Sequence, residues 1–157
     1  SPIGRIKIVA DYNCIQALTF IEDKATLSIT EGIESPPVIH QCIDELIDYF
    51  NGNRTQFKVP IHQSGTDFQQ KVWRELYEVP YAKTMSYAEL AKKLGDPKVI
   101  RAAANANGKN KIAIIVPCHR IIGSDSNLTG YAWGLAKKKW LLQHEFRIGH
   151  GVQTLFA

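Results

Sequence analysis

Three consecutive residues, Cys118, His119 and Arg120, place a nucleophile beside a base and a cation. A lone cysteine after an apolar run is most often a small buried hydrophobe. Here an imidazole and a guanidinium follow the thiol directly, and such neighbours favour the thiolate, which is the nucleophilic form. The histidine is also a candidate general base, acting directly or through a water molecule. The spacing therefore predicts that Cys118 is an activated nucleophile.

A third side chain should orient this histidine. Glu145 is the preferred candidate, because it lies at the end of the predicted last helix, beside the apolar residues 140–142. The alternative is a solvated glutamate at a helix end, which the pattern alone favours. Cys14 and Cys42 have no comparable neighbours, and we interpret both as structural residues.

A metal site is not expected, because the sequence contains no Cys-x-x-Cys or His-x-x-x-His pair. No phosphate-binding loop of the Walker type is present either. Three cysteines are too few for a disulfide scaffold and indicate free thiols in an intracellular compartment, either cytoplasm or nucleoid or nucleus. No apolar run approaches the ~18 residues of a membrane span, so no membrane partner is expected.

The elements that must position these residues divide into two predicted lobes. Residues 1–60 indicate an α/β lobe, with strands over the first 20 residues, a possible third strand at Thr26–Ile29 and a helix at Val38–Phe50. Residues 61–157 indicate a mostly helical lobe around one buried strand at Ile112–Val116. In that lobe Ser86 and Glu89 form a predicted capping box.

Two short helices joined at Gly95-Asp96-Pro97 predict a helix-turn-helix, with Asp96 as cap and Gly108 as the C′ residue of the second helix. The periodicity directs one stripe of this helix inward and another outward. The inward stripe is Val99, Ala102, Ala103 and Ala106, and the outward residues are Lys98, Arg101 and Asn105. Small residues beside one arginine suit a helix that lies in a groove. The alternative for Arg101, a surface cation paired with an acid, is weaker because only Asp96 is near in sequence.

The charge is divided unevenly along the chain. Residues 1–60 carry 5 Lys/Arg and 8 Asp/Glu, whereas residues 61–157 carry 14 and 7. The second half could be a solvated basic face. The functional interpretation is a surface that binds a polyanion such as nucleic acid.

Several linked motifs resemble the O6-alkylguanine-DNA alkyltransferases, also called methylated-DNA–protein-cysteine methyltransferases. The resemblance is continuous over residues 65–145 and weaker in the first lobe, at Ser1–Gly4. The motifs that carry it are Asn110 before Pro117-Cys118-His119-Arg120, Gly65–Gln69, Val72-Trp73, Val79–Tyr81, Thr84–Tyr87, Arg101-Ala102, Gly130-Tyr131 and His144-Glu145.

The resemblance implies a ribonuclease H-like α/β lobe followed by a helical lobe with a helix-turn-helix. It implies binding of alkylated duplex DNA through the minor groove by a monomer, and flipping of the damaged nucleotide. Arg101 fills the vacated space, Tyr87 crowds the phosphate and assists the leaving base, and Cys118 takes the alkyl group in one irreversible turnover. Asn110 braces the turn before the cysteine, and no cofactor is required.

The same resemblance places the substrate pocket near Ile121, Tyr131, Ala132 and Trp133. Trp133 is bulky for a pocket loop, which suggests a preference for methyl over benzyl groups. Lys111 stands where many members have proline.

Three other functions stay open from the residues alone. A damage-recognition module without repair is one, although such relatives lack the cysteine. A thiol hydrolase using Cys118 and His119 is another, and a DNA-binding regulator with an inert cysteine is the third.

Overall fold

The computed structural model describes residues 1–22 and 34–151. The chain divides into two compact units: residues 1–63 with 111–113, and residues 64–110 with the chain from 114 onward. Each unit has its own small sheet. The possible third strand at Thr26–Ile29 lies outside the described residues.

The first unit is a β-hairpin with one helix. Strand β1 (Arg5–Ala10) pairs antiparallel with β2 (Ile15–Ile21), and helix α1 (Pro37–Phe50) contacts both strands. Single parallel bridges join Ile15 to Ile61 and Leu18 to Ile112. The buried side chains of α1 lie on one face of the helix, as an amphipathic element requires, and β2 contributes Ile15, Leu18 and Phe20 to the same core. The helix predicted at Val38–Phe50 is confirmed.

The second unit is mostly helical. Two short strands pair in parallel, with Met85 opposite Ile121. In chain order the elements are α2 (Asp67–Tyr77), β3 (Met85–Ser86), α3 (Tyr87–Lys93), a 3-10 turn (Pro97–Val99), α4 (Ile100–Gly108), a 3-10 turn (Cys118–Arg120), β4 (Ile121–Ile122) and α5 (Leu135–Gly149).

Local capping sets the helix starts in this unit. The Ser86 hydroxyl accepts from the Glu89 amide and the Glu89 carboxylate accepts from the Ser86 amide, so the predicted capping box is confirmed. Between α3 and α4, Gly95 has φ +94°, a left-handed conformation that favours glycine. The Trp73 indole then ties α2 to α4 by donating to the Ala106 carbonyl at 2.9 Å.

Some predicted element boundaries are wrong. Residues 112–116 are buried as predicted, but they form turns after the bridge at Ile112, because Ile114 has φ +70° and breaks the extended run. An apolar run cannot by itself distinguish a buried strand from a buried turn.

The second helix of the pair also differs from its prediction. It opens as a 3-10 turn at Pro97, and Gly108 is its last helical residue, followed by Lys109 in a right-handed conformation. Ala102, predicted to face inward, is exposed, whereas Ala103 and Ala106 are buried. Helix α5 continues four residues beyond the predicted end, to Gly149.

Candidate functional site

Cys118 lies at the start of the 3-10 turn that follows Pro117, on the wall of a cavity of about 450 Å³. The residue as a whole is only 3% exposed. The other lining residues come from α3, α4 and one loop: Tyr87, Ile100, Arg101, Ala104, Asn107, Gly108, Thr129, Gly130, Tyr131 and Ala132. The cavity is large enough for a flat heterocycle beside the sulfur.

Asn110 holds the turn that carries the thiol. Its side-chain nitrogen donates to the Val116 carbonyl at 3.0 Å and to Cys118 Sγ at 3.3 Å. One amide therefore fixes both the backbone before the cysteine and the position of its sulfur.

The thiol is not a thiolate in the resting protein. Burial raises the pKa of Cys118 to about 11, although the Asn110 hydrogen bond and the charge of Lys138 oppose the rise. The adjacent side chains of His119 and Arg120 both hydrogen-bond to Glu145. A base must therefore remove the proton when the nucleophile reacts.

His119, Arg120 and Glu145 form one buried cluster. His119 Nε2 lies 2.7 Å from Glu145 Oε1, and Arg120 donates through Nε and Nη2 to the two oxygens of Glu145, each at 2.9 Å. Arg120 Nη1 also donates to the Val79 carbonyl at 2.7 Å. Glu145 is 1% exposed, which excludes the solvated helix-end alternative.

This cluster sets the protonation state of the histidine. Burial lowers the pKa of His119 and outweighs the attraction of Glu145. Burial alone would raise the pKa of Glu145, but His119 and Arg120 hold it below its ordinary value. Because an ionised carboxylate only accepts hydrogen bonds, His119 donates from Nε2 and its Nδ1 is the basic nitrogen. Nδ1 is buried and has no hydrogen-bond partner among the described residues.

Tyr87, the first residue of α3, also lines the cavity. Burial raises the pKa of its phenol, and hydrogen bonding from Thr129 and Asn107 works in the other direction. Tyr87 therefore keeps its proton at neutral pH and is a possible acid.

Lys138 is a site residue that the sequence analysis missed. It is fully buried, and its ammonium donates to the carbonyls of Ile121 (2.6 Å), Thr129 (2.8 Å) and Gly130 (3.1 Å). Burial lowers the pKa of this ammonium to about 8, and the electrostatic interaction with Cys118 acts in the opposite direction. The available signal was its spacing of three and seven residues from Leu141 and Glu145, which puts Lys138 on the buried face of α5.

The residues proposed for DNA contact are exposed. Arg101, Ala102 and Asn105 lie on α4, and Lys98 lies on the 3-10 turn before it. Arg101 forms no ion pair with any described residue, and it borders both the Cys118 cavity and a groove of about 430 Å³ between α4 and the start of α2.

Two of the four predicted pocket residues line the cavity and two do not. Tyr131 and Ala132 are on its wall. Trp133 packs edge-on against Tyr131 with ring centroids 5.2 Å apart, outside the lining. Ile121 is fully buried and is not part of the lining, and its carbonyl oxygen accepts a hydrogen bond from Lys138.

In residues 1–22 and 34–151, no group of three or more His, Cys, Asp or Glu side chains is arranged to hold a metal ion. No helix in these ranges has the length and apolar character needed to cross a bilayer.

Both units of the chain match models of known protein families. Residues 1–63 match the model of the 6-O-methylguanine DNA methyltransferase ribonuclease-like domain, and residues 67–147 match that of the DNA binding domain of the same proteins. The chain belongs to the 6-O-methylguanine DNA methyltransferase family. The resemblance inferred from its motifs is thus confirmed, and with it a role in DNA repair as a DNA-binding methyltransferase.

Individual relatives agree over nearly the whole chain. Methylated-DNA–protein-cysteine methyltransferases from Mycobacterium tuberculosis and Methanosarcina barkeri are 41% and 42% identical, over 99% and 92% of this chain and 94% and 92% of theirs. The crystal structure of Mycobacterium tuberculosis OGT in complex with DNA has a TM-score of 0.84 at 40% identity, covering 94% of this chain and 90% of that one. The architecture of a small sheet and a helical second part is therefore that of the family.

Proposed function

We propose that the chain repairs duplex DNA by transferring the alkyl group, mainly methyl, from O6 of guanine to Cys118. The observation that carries this proposal is the position of Cys118 on the wall of a cavity whose lining also includes Tyr87 and the exposed residue Arg101. Nucleophile, acid and DNA contact thus converge on one space that fits a single base.

The step is a displacement at the alkyl carbon. A bond forms between Cys118 Sγ and that carbon while the carbon–O6 bond breaks, and its electron pair passes to the guanine. The thiol proton goes to His119 Nδ1 through a water molecule, and the guanine anion gains a proton from the Tyr87 hydroxyl. The product is a thioether, which has no acidic proton and is a poor leaving group, so each molecule reacts once.

The buried cluster makes this proton transfer possible. The Glu145 carboxylate stabilises the imidazolium as it forms, and Arg120 keeps that carboxylate ionised and oriented. Asn110 holds the sulfur in place during the displacement. No metal or cofactor takes part, because the DNA supplies the alkyl group.

The DNA is bound by helices α3 and α4 acting as a helix-turn-helix, with α4 in the minor groove. Lys98, Ala102 and Asn105 contact the duplex, while Arg101 replaces the nucleotide that is flipped into the cavity. The exposed Arg101 and the small side chains of α4, together with the exposed Lys98 on the turn before it, support this arrangement. The protein acts as an intracellular monomer, and O4-alkylthymine is a possible second substrate.

We also propose that Trp133 restricts the alkyl group to small sizes through its contact with Tyr131. The cavity would then accept methyl more readily than benzyl. Efficient reaction with free O6-benzylguanine would contradict this part of the proposal.

The decisive experiment is intact-protein mass spectrometry after mixing with a duplex that contains one O6-methylguanine, followed by peptide mapping. One added methyl on Cys118, with the reaction stopping at one equivalent, is the expected result, and Cys118→Ala should gain no mass. Tight binding to the lesion without added mass would instead indicate a damage-recognition module. Repeated turnover with a free cysteine would indicate a hydrolase.

A further inference from the structure

Tyr81 is an aromatic residue beside the buried cluster that the mechanism above does not use. The guanidinium group of Arg120 lies over its ring, with the guanidinium carbon 5.6 Å from the ring centroid. A cation over an aromatic face at this distance forms a cation–π interaction. Arg120 is 6% exposed, and such an interaction is strongest where water is largely excluded. Tyr81 therefore helps to set the position of Arg120.

The loop between α2 and β3 contacts Arg120 through two of its residues. Arg120 Nη1 donates to the Val79 carbonyl at 2.7 Å, and the Tyr81 ring follows two residues later in the same loop. The other guanidinium nitrogens, Nε and Nη2, donate to Glu145. Arg120 is therefore held by this loop and by the carboxylate on α5, and loss of the loop contacts would weaken its hold on Glu145.

The last turn of α5 packs closely against this loop. Glu145 and Gly149 are four residues apart on α5, so they lie on the same face of the helix. A Cβ at Gly149 would clash with the Cβ of Ala82, and the nearest Tyr81 ring carbon is 3.7 Å from the same point. Ala82 has φ +59°, a left-handed conformation that alanine seldom adopts. This close approach places Tyr81 against the face of α5 that carries Glu145.

The position of Arg120 in turn affects the base of the reaction. Arg120 helps to keep the Glu145 carboxylate ionised, and that carboxylate accepts from His119 Nε2 at 2.7 Å. Among the described residues, the charged groups that act on His119 are Glu145 and Lys138 from α5 and Arg120 from its own turn. If Arg120 moved away from Glu145, a cation that disfavours protonation of His119 would be lost, and the carboxylate that favours it would act more strongly. His119 would then become protonated at a higher pH.

We propose that Tyr81 is a positioning residue of the proton-transfer cluster, whose ring holds the Arg120 guanidinium on Glu145 and so keeps His119 available as the base for Cys118. Tyr81 is not part of the cavity lining, so it acts through Arg120 and does not touch the substrate. The inference rests on the proposed alkyl transfer and adds one residue to its machinery.

The test is the pH–rate profile of Cys118 methylation by a duplex that contains O6-methylguanine. Tyr81→Leu removes the aromatic ring, and Tyr81→Phe keeps it. In Tyr81→Leu the rate at pH 8 should fall about three- to tenfold, as expected for the loss of one largely buried cation–π interaction. The acid limb should also move to higher pH, so that the rate already declines above about pH 6.5. Tyr81→Phe should retain the wild-type rate and profile.

An NMR titration of the His119 ring measures the same effect without any DNA. Tyr81→Leu should raise the pKa of His119, because Arg120 no longer offsets the charge of Glu145, whereas Tyr81→Phe should not change it. Tyr81→Met also removes the ring and is assayed alongside, so that a folding defect in one of these two variants leaves the other to report. Tyr12→Leu is the matched control, because Tyr12 is 74% exposed between β1 and β2, and it should leave both measurements unchanged.

The outcomes separate this inference from the proposed function. Equal effects of Tyr81→Phe and Tyr81→Leu would overturn the inference, because the ring would then not be the group that matters. A lower rate with an unchanged acid limb and an unchanged pKa of His119 would also overturn it and leave Tyr81 as a packing residue. Absence of methyl transfer by the wild-type chain would overturn the proposed function, whereas the NMR titration would still report whether the Tyr81 ring acts on His119.

Discussion

At the scale of single residues, the reactive thiol is stored in its protonated form. Burial holds the pKa of Cys118 near 11, so almost no thiolate exists at neutral pH. A protonated buried thiol is protected from oxidation and from adventitious alkylation. Reactivity then depends on His119, whose Nδ1 is the base that the Glu145 hydrogen bond leaves available.

The first prediction concerns pH. Burial depresses the pKa of His119, so the base is neutral at pH 7, and the single-turnover rate should stay constant from pH 8 to about 6.5, the ordinary histidine pKa. The rate should fall only on further acidification, as His119 becomes protonated. The free energy of unfolding should also decrease below about pH 6.5. In that range His119 binds a proton more readily in the unfolded chain than in the folded protein, where its pKa is lowered.

The measurement is a pH–rate profile for methylation of Cys118. His62→Gln, at an exposed residue of the first unit, is the control and should give the wild-type profile. A rate that already declines between pH 8 and 7 would contradict the assignment of His119 as the base.

The second prediction concerns Lys138, whose ammonium bonds to three backbone carbonyls. Lys138→Met keeps the stem of the side chain but leaves these oxygens without their donor. The free energy of unfolding should fall by about 1–3 kcal/mol. The methylation rate should also fall, because Thr129 and Gly130 line the cavity.

Urea unfolding and single-turnover kinetics check this expectation. Lys139→Met makes the same change at the next, exposed position and should be close to wild type in both measurements. Equal stability of the two variants would show that the three carbonyls do not depend on Lys138.

At the scale of elements, helices α3 and α4 carry both the residues proposed to contact DNA and residues that line the Cys118 cavity. Tyr87 is the first residue of α3, and Arg101 and Asn107 lie on α4, so the cavity wall and the exposed face belong to the same helices. The Trp73 hydrogen bond to the Ala106 carbonyl anchors α4 to α2. Because α4 is anchored by this hydrogen bond, it can contact DNA while the cavity lining keeps its position.

The third prediction concerns Arg101. Arg101→Ala should fold normally, because the side chain is exposed, but it should lose a factor of about ten or more in the rate on duplex DNA, where flipping costs a few kcal/mol. The reaction with a free alkylated base should be nearly unaffected. Arg74→Ala, an exposed arginine on α2, removes the same charge outside α4 and should have a smaller effect. An equal decrease in the reaction rate with duplex DNA and with the free base would show that Arg101 does not assist nucleotide flipping.

The fourth prediction concerns the start of α3. Ser86→Ala removes the N-cap hydrogen bond to the Glu89 amide and should cost about 1 kcal/mol. For a chain of this size, that corresponds to a decrease in Tm of roughly 2–4 °C. Thermal unfolding measures Tm for Ser86→Ala and for the control Ser124→Ala. Ser124 is exposed and lies outside the helices, so the control should leave Tm nearly unchanged. Identical Tm values for the two variants would show that the cap contributes nothing measurable.

At the scale of the whole molecule, charge separates the two halves of the sequence. Residues 81–120, which include α3, α4 and the reactive turn, carry 8 Lys/Arg and only 2 Asp/Glu. All of these cations except the buried Arg120 are exposed, and a surface of this kind attracts DNA largely through release of counterions. Residues 1–60, by contrast, carry a net negative charge.

The fifth prediction follows from that charge. Affinity for duplex DNA should fall at least about tenfold between 50 and 200 mM salt, because phosphate contacts dominate binding of this kind. Fluorescence anisotropy with a labelled duplex measures it. The rate of reaction with a free alkylated base is the internal control and should not depend on salt. A binding constant unchanged over this range would contradict the basic-surface interpretation.

Much of the helical framework could be predicted from short sequence patterns. The capping box at Ser86 and the apolar stripe of α1 depend on residues three or four apart, and both are confirmed. The buried run at 112–116 was assigned to the interior correctly but to the wrong conformation, because burial does not specify backbone dihedrals. The last turn of α5 was missed because no strong pattern marks its end.

The sequence by itself determined the identity of the family, since the order and spacing of its motifs are properties of the linear chain. Only the tertiary structure decided the electrostatics of the site. The contact between His119 and Glu145 spans 26 positions, and the burial of Lys138 and Asn107 depends on packing between separate elements. The thiol pKa depends on the same packing, because desolvation reflects all surrounding atoms rather than the adjacent residues.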